Sequence, residues 1–211
     1  NTHPQHSLIG EGNFSFGSGL VKAWGGTPAD CLVATSYDTE AQVAEKYPEA
    51  GEHVDTIVGG GGTVLHGVDG TALRACPHLA TTCREVCGSL RCFDYIVFNF
   101  PHTACGVKDT AKNVAAHQAF LHDFFVSAAG LLRPGGEVHI TVKRGPPYES
   151  WGTAAVGRKA GLHVVTAREF MPHLTPGYHH RRTLGAPTHA PEEGGPALNA
   201  DIAVGARTYV F

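Results

Sequence analysis

Ser7-Leu8-Ile9-Gly10-Glu11-Gly12-Asn13-Phe14-Ser15-Phe16-Gly17 is the stretch whose reading decides the fold. A short apolar run stops at a glycine pair and passes at once into an amphipathic segment, the pattern of a strand, a tight turn and a helix N-terminus. Gly10 and Gly12 permit backbone conformations that side chains forbid and let a ligand approach the main chain. A helix starting near Ser15 is expected to aim its free N–H groups and positive dipole end at that ligand. A dinucleotide fingerprint would read G-x-G-x-x-G. Here Phe14, Ser15 and Phe16 follow the pair, and the third glycine, which allows close helix packing, is displaced to Gly17. The pair alone is equally the mark of a plain strand-to-helix turn, so the later segments decide.

Residues 14–24 read as a helix closed by Gly25-Gly26, and Cys31-Leu32-Val33-Ala34-Thr35-Ser36-Tyr37-Asp38 as a buried strand ending in an acid. Nucleoside-binding α/β domains hold ribose hydroxyls with an acid at that place. Asp38 is also positioned to cap a helix over 39–46. Residues 51–62, ending in four glycines, read as a flexible loop; no Lys-Ser/Thr follows, so they are not a P-loop. A third strand over 64–69 ends in Asp69, suited either to an adenine amine or to a turn. Residues 76–90 are weakly helical. The strand from Phe93 then delivers Asn99-Phe100-Pro101-His102 at its tip. Strand tips of an open α/β sheet face the ligand crevice, which places Asn99 and His102 for chemistry and Phe100 for stacking on a flat base.

Helical spacing over 111–132 ends at Arg133-Pro134-Gly135-Gly136, and its aromatics are core positions. A strand over 137–143, a helix over 151–160 and strands over 162–170 and 202–211 complete the pattern. Residues 186–200, rich in Pro, Gly and Glu, read as a mobile insertion. The alternation predicts one α/β domain over 1–211: a three-layer Rossmann-like sandwich with a mostly parallel sheet and an antiparallel C-terminal hairpin.

A chain of 211 residues suits one domain with a full core, and 42% hydrophobic content excludes a disordered polypeptide. The net charge is −3, so a nucleic-acid partner has to be held by a local basic patch. Pro176-Gly177-Tyr178-His179-His180-Arg181-Arg182-Thr183 is one such basic-aromatic run, and Lys143-Arg144 with Tyr148 another. Cys76, Cys83, Cys87 and Cys92 crowd together without C-x2-C knuckles, so reduced thiols are expected and no metal. No signal-peptide pattern and no apolar run of membrane-spanning length is visible, which points to an intracellular protein without a membrane partner.

The quoted segments, in order, resemble the Rossmann-like domain of the eukaryotic large-subunit (25S-type) rRNA uridine-N3 methyltransferases. Gly10-Glu11-Gly12-Asn13-Phe14-Ser15-Phe16 with Asn99-Phe100-Pro101-His102 is the specific combination, and the run at 59–62 and the segment 186–200 depart from it. The resemblance implies a class I fold, S-adenosylmethionine as cofactor, rRNA or a pre-ribosomal particle as partner, and a nuclear or nucleolar location. It assigns Gly10, Glu11, Gly12, Asn13, Phe14 and Ser15 to the methionine end of the cofactor. Asp38 goes to its ribose, Asp69 to its adenine, and Asn99, Phe100 and Pro101 complete the pocket. Asn99, His102 and Lys143 are the catalytic candidates: ring orientation, proton acceptance, and stabilisation of charge on the uracil carbonyls. RNA contacts fall to Lys143, Arg144, Tyr148, Tyr178, His179, His180, Arg181 and Arg182. A class I methyltransferase acting on a small molecule or protein, and a non-catalytic RNA-binding module of the same fold, are the rival readings.

Overall fold

A computed structural model describes residues 3–103, 110–181 and 205–211. Strands β1 (His6–Ile9), β2 (Leu32–Thr35), β3 (Thr63–Leu65), β4 (Phe93–Asn99) and β5 (Leu132–Val142) run parallel, and β6 (Thr166–Glu169) and β7 (Arg207–Val210) complete a seven-stranded sheet. The strand order is β3-β2-β1-β4-β5-β7-β6, with β7 antiparallel to both β5 and β6. This is the mostly parallel sandwich with an antiparallel C-terminal hairpin that the residue patterns predict. The segment 186–200 lies outside the described residues.

Alternation along β1 creates the two outer layers, because successive side chains of a strand point to opposite faces. Leu8 packs with Phe14, Val43 and Ile57 on the side of α1 (Ser15–Ala23), α2 (Glu40–Lys46) and α3 (Ala50–Gly59). Ile9 packs with Phe98, Leu121, Phe124 and Phe125 on the side of α5 (Thr110–Ala129). Helices α4 (Pro77–Cys87) and α6 (Thr153–Lys159) extend that second layer through Leu79, Cys83 and Val156. The displaced glycine keeps its packing duty: a Cβ on Gly17 would sit 2.9 Å from Ile57 Cδ1 and 3.2 Å from Leu8 Cδ1. Any larger residue there would lift α1 off the sheet.

Four local expectations are corrected. Residues 50–59 form α3 and not a flexible loop. Ala50, Val54 and Ile57 share one helical face on the core, and the glycine run only ends the helix, with Gly61 at φ +95°. Strand β5 begins at Leu132, five residues before the alternating segment, because Leu132 pairs with Phe93 across a register shift. The strand read over 162–170 is confined to β6, and within 202–211 the described strand is β7. Cys87 and Cys92, read as reduced thiols, are joined by a disulfide with 5.6 Å between their Cα atoms, while Cys31, Cys76 and Cys83 are free. Helix α4 ends at Cys87 and the chain turns straight back into β4, which brings the two residues within bonding range.

The chain leaves β1 outward to β2 and β3 and then returns to β4 on the other side. The carboxyl ends of β1 and β4 therefore bound a topological switch point, where such sheets hold their ligands. If α3 is a packed element, Ile57→Ala lowers unfolding free energy by about 2–5 kcal/mol in urea titration. A loop residue would change it by under ~0.5 kcal/mol.

Candidate active site at the carboxyl edge of the sheet

A cleft of about 360 Å³ opens at the β1/β4 switch point. Its size falls in the range of small-ligand sites. Gly10, Glu11, Gly12, Asn13, Ser15, Asp38, Asp69, Asn99, Phe100 and His102 all line it, so the structure brings together most of the residues singled out from the sequence. Phe14 and Pro101 do not line it. Phe14 is fully buried beneath the turn, edge-on to His66 at 5.3 Å.

Gly10 adopts φ +68°, and a Cβ there would lie 2.5 Å from the Phe98 ring. The turn thus reaches the cleft only because this position has no side chain. Phe14 (φ 60°) and Phe100 (φ 54°) are the non-glycine residues with left-handed backbone among the described residues. Phe100 follows the tip of β4 and lines the cleft, Phe14 is the N-cap of α1 beneath the glycine turn, and strain of this kind clusters at ligand sites.

The start of α1 differs from the sequence expectation. Its amides are not free: Glu11 Oε2 accepts from Gly17 N at 3.1 Å and Asn13 Oδ1 from Ser15 N at 3.2 Å. Glu11 is itself pinned, since its N–H donates to the Thr35 carbonyl at 2.8 Å. Burial pushes the Glu11 carboxyl up to about 7, against the opposing pull of the Gly17 and Phe16 amides. A carboxyl side chain of the protein therefore fills the position where a dinucleotide fold seats pyrophosphate.

Residues 175–181 fold over this helix end. Ser15 Oγ donates to the His179 carbonyl and accepts from the His179 N–H, both at 3.0 Å. A Cβ on Gly19 would strike Thr175 Cγ2 at 2.5 Å, so the segment lies directly on α1. Tyr178 packs edge-on to Phe16 and Phe170, and burial followed by the Glu11 charge raises its phenol far above the ordinary range. Arg181 pairs with Glu49 and is largely enclosed. Glu49 also accepts from Asn13 Nδ2 at 3.1 Å. Burial would raise the Glu49 carboxyl, but hydrogen bonds from Asn13, its own amide and Arg181 outweigh it, and the net shift is downward. Tyr178, His179, His180 and Arg181 thus form one wall of the cleft, and Arg182 lies outside the described residues.

Asp38 and Asp69 hold the opposite end. Thr39, with Gln42 in a capping box, caps α2, so Asp38 is relieved of that task. Its Oδ1 accepts from Lys46 Nζ at 2.7 Å. Asp69 Oδ1 accepts from Thr71 N and Oγ1 at 2.8 and 2.7 Å, capping the 3-10 turn Gly70–Ala75. One oxygen of each carboxylate remains for a ligand. Tyr37, 71% exposed beside Asp38, and Tyr47, whose hydroxyl approaches Gly12, also line the cleft and were not singled out. An aromatic preceding a strand-end acid was a usable signal for Tyr37. Tyr47 carried none, because only the packing of α2 brings it to the glycine turn.

At the tip of β4, Asn99 Oδ1 accepts from the Thr141 hydroxyl at 2.7 Å, while Asn99 Nδ2 is buried without a hydrogen-bond partner among the described residues. Phe100 stands 4.4 Å from His180, ring to ring, and 5.5 Å from Phe170. His102 lies 4.8 Å from His117, which stacks on Trp151 at 4.0 Å. Burial and then the neighbouring His117 lower the His102 imidazole below its ordinary value. Lys143 does not line this cleft. With Arg144 and Tyr148 it lines a second groove.

Residues 8–182 match the model of the BMT5-like family, described as rRNA (uridine-N3-)-methyltransferase BTM5-like. The chain belongs to this family. Heavy metal-associated isoprenylated plant protein 41 of Arabidopsis thaliana is 32% identical over 88% of this chain and 34% of its own length. The 25S rRNA (uridine(2634)-N(3))-methyltransferase of Saccharomyces cerevisiae is 27% identical over 83% of this chain and 65% of its own length. The domain described here thus spans about a third of the plant protein and about two thirds of the yeast enzyme. Among solved structures, the aminoglycoside resistance methyltransferase NpmB1 aligns at a TM-score of 0.47 and 17% identity, over 77% of this chain and 75% of that one.

The Glu11 cap leads to a stability prediction. An unfolded Glu11 ionises near 4.5, whereas the folded one holds its proton up to about 7. Across that window the unfolded state binds fewer protons, so stability present below pH 4.5 is lost as pH rises through 7. Glu11→Gln keeps an acceptor for the α1 amides and removes the titration. Denaturant unfolding from pH 4 to 8 should show the wild type losing up to about 3 kcal/mol more than the variant.

Proposed function

We propose that this domain transfers a methyl group from S-adenosylmethionine to N3 of a uridine in large-subunit rRNA. The charge of the cleft is the observation that carries the reading. Three carboxyl groups line it, Asp69, Asp38 with one oxygen on Lys46, and Glu11 with its ionisation raised to about 7, while Arg181, the sole lysine or arginine among the described lining residues, is paired with Glu49. That wall suits a cationic sulfonium and ribose hydroxyls, and it offers a pyrophosphate neither a free cation nor a free helix end.

The residues fit such a cofactor on two structural grounds: the cleft that the left-handed Gly10 turn borders, and the carboxylate oxygens left open on Asp38 and Asp69. Asp38 accepts from the ribose hydroxyls, Asp69 from the adenine amine, and the turn from Gly10 to Ser15 lies along the methionine end. Tyr37 offers its exposed ring to the adenine face. When bound, S-adenosylmethionine supplies an electrophilic methyl group.

Uracil N3 carries a proton at neutral pH, and the chain has to remove it. His102, held neutral by burial and by His117, accepts that proton. Loss of the proton spreads negative charge onto the adjacent carbonyl oxygens. Asn99 Nδ2, fixed by the Thr141 bond to Oδ1, donates to one of them. A buried amide nitrogen without a partner costs about 1–3 kcal/mol, which this bond recovers on the substrate. Phe100 offers a flat face for the ring. Pairing hides N3 in a duplex, so the target is an unpaired or flipped uridine. A pre-ribosomal particle in the nucleolus is the proposed setting.

Calorimetric titration tests the cofactor. S-adenosylmethionine binds and NAD does not, and Asp38→Ala weakens binding by about tenfold or more through the loss of charge-assisted hydrogen bonds to ribose. Binding of NAD in its place would overturn the reading.

The base assignment predicts a pH profile. His102 must be neutral to act, so methyl transfer is lost as pH falls through its lowered value, below pH 6.5. With cofactor and RNA saturating, His102→Asn is slowed about 10²–10⁴-fold and loses this acid limb. Unchanged turnover at pH 7 would remove His102 from the mechanism.

A further inference from the structure

Beside the cleft lies a second groove of about 300 Å³, walled by the end of β5, the turn that follows it, the start of α6 and the edge of β7. It gathers Lys143, Arg144, Arg158 and Arg207 against a single carboxylate, Glu149. None of the four cations makes an ion pair among the described residues, whereas Lys46, Arg133 and Arg181 each do. Arg144, Arg158 and Arg207 are solvent-exposed. In a chain of net charge −3, four cations from three separate elements in one concavity outnumber the carboxylates near them, Glu149 in the groove and Glu169 opposite Arg207 across β6 and β7, and form a local positive field. Tyr148, with Lys143 Nζ 6.0 Å from its ring, and Tyr209 add aromatic walls.

We infer that this groove binds the phosphodiester backbone of the RNA next to the uridine held in the cleft. The inference rests on the RNA-methyltransferase reading and adds to it a contact surface, including Arg158 and Arg207, outside the cofactor site. Its placement supports the assignment. Thr141, whose hydroxyl fixes Asn99, precedes Lys143 by two positions along β5, about 7 Å of extended chain. Arg207 pairs in register with Val142 on the adjoining strand. A strand with one base at Asn99 therefore meets Lys143 first at this carboxyl edge, and reaches Arg207, which shares the opposite face with Val142, only as its backbone rounds that edge. Guanidinium groups grip phosphate oxygens through paired hydrogen bonds, which suits Arg144, Arg158 and Arg207 to this task.

The test is fluorescence anisotropy of a labelled twelve-nucleotide oligouridine over 50–200 mM salt, with wild type, Arg158→Ala/Arg207→Ala, and the matching double lysine variant. For single strands the logarithm of affinity falls with the logarithm of salt by about 0.7 per phosphate neutralised. The double alanine variant should therefore lose about 1.4 from this slope and bind several-fold to tenfold more weakly, while the lysine variant keeps the slope. Calorimetric affinity for S-adenosylmethionine should be the same in all three proteins, which also shows that the variants are folded. Equal slopes and affinities for wild type and the alanine variant would overturn the groove assignment alone. Loss of binding to ribosomal particles with oligouridine binding intact would overturn it too, and would make the groove a protein contact. A wild type that binds S-adenosylmethionine but transfers no methyl group to rRNA would instead overturn the underlying reading.

Discussion

Glu11 closes the first turn of α1 with its own carboxylate, and the site is built around that contact. The backbone can double back there because Gly10 takes a left-handed conformation pressed against Phe98. Once the carboxylate is seated, the helix dipole is answered from within the protein. Tyr178 then packs over the same helix end, and Ser15 ties down His179. A turn that looks built for an anionic ligand becomes one wall of an acidic cleft.

That exchange separates two chemistries served by related sheets. A dinucleotide site leaves helix amides open for pyrophosphate, whereas here the charges left facing the cleft are carboxylates. In the proposed reaction, selection of a cationic cofactor and polarisation of a neutral pyrimidine call for different tools, and the two ends of the cleft carry different groups. One end has Asp38 and Asp69, each with one oxygen engaged by the protein and held in orientation by it. The other end has an amide fixed by Thr141, a neutral imidazole and an aromatic face, with Lys143 in the neighbouring basic groove.

Much of this was legible before any coordinates. Leu8 and Ile9 alternate between the two cores, and Asn99 to His102 come at the end of an apolar strand, in patterns set by local geometry, whereas β2 and β3 stop at Thr35 and Leu65 and leave Asp38 and Asp69 in the loops beyond them. Helix α3 was obscured because its glycines lower helix propensity, while burial of Ile57 against α1 more than compensates. The role of Tyr47 was hidden for a related reason: nothing near it in sequence announces the glycine turn it meets.

By itself, the sequence determined the order of elements, the parallel sheet with its antiparallel end, and the residue types at the strand tips, since each depends on periodicity and turn chemistry within a few residues. Only the tertiary structure decided which of those residues face one another. It turned Glu11 inward to cap a helix, paired Arg181 with Glu49, freed Asp38 from capping, and put Lys143 in the lining of a second groove. Those outcomes depend on contacts between segments far apart in the chain, Glu49 with Arg181 and Ser15 with His179 among them. Local patterns carry no record of such distances, because long-range pairing is set by how the layers pack and not by neighbours in sequence.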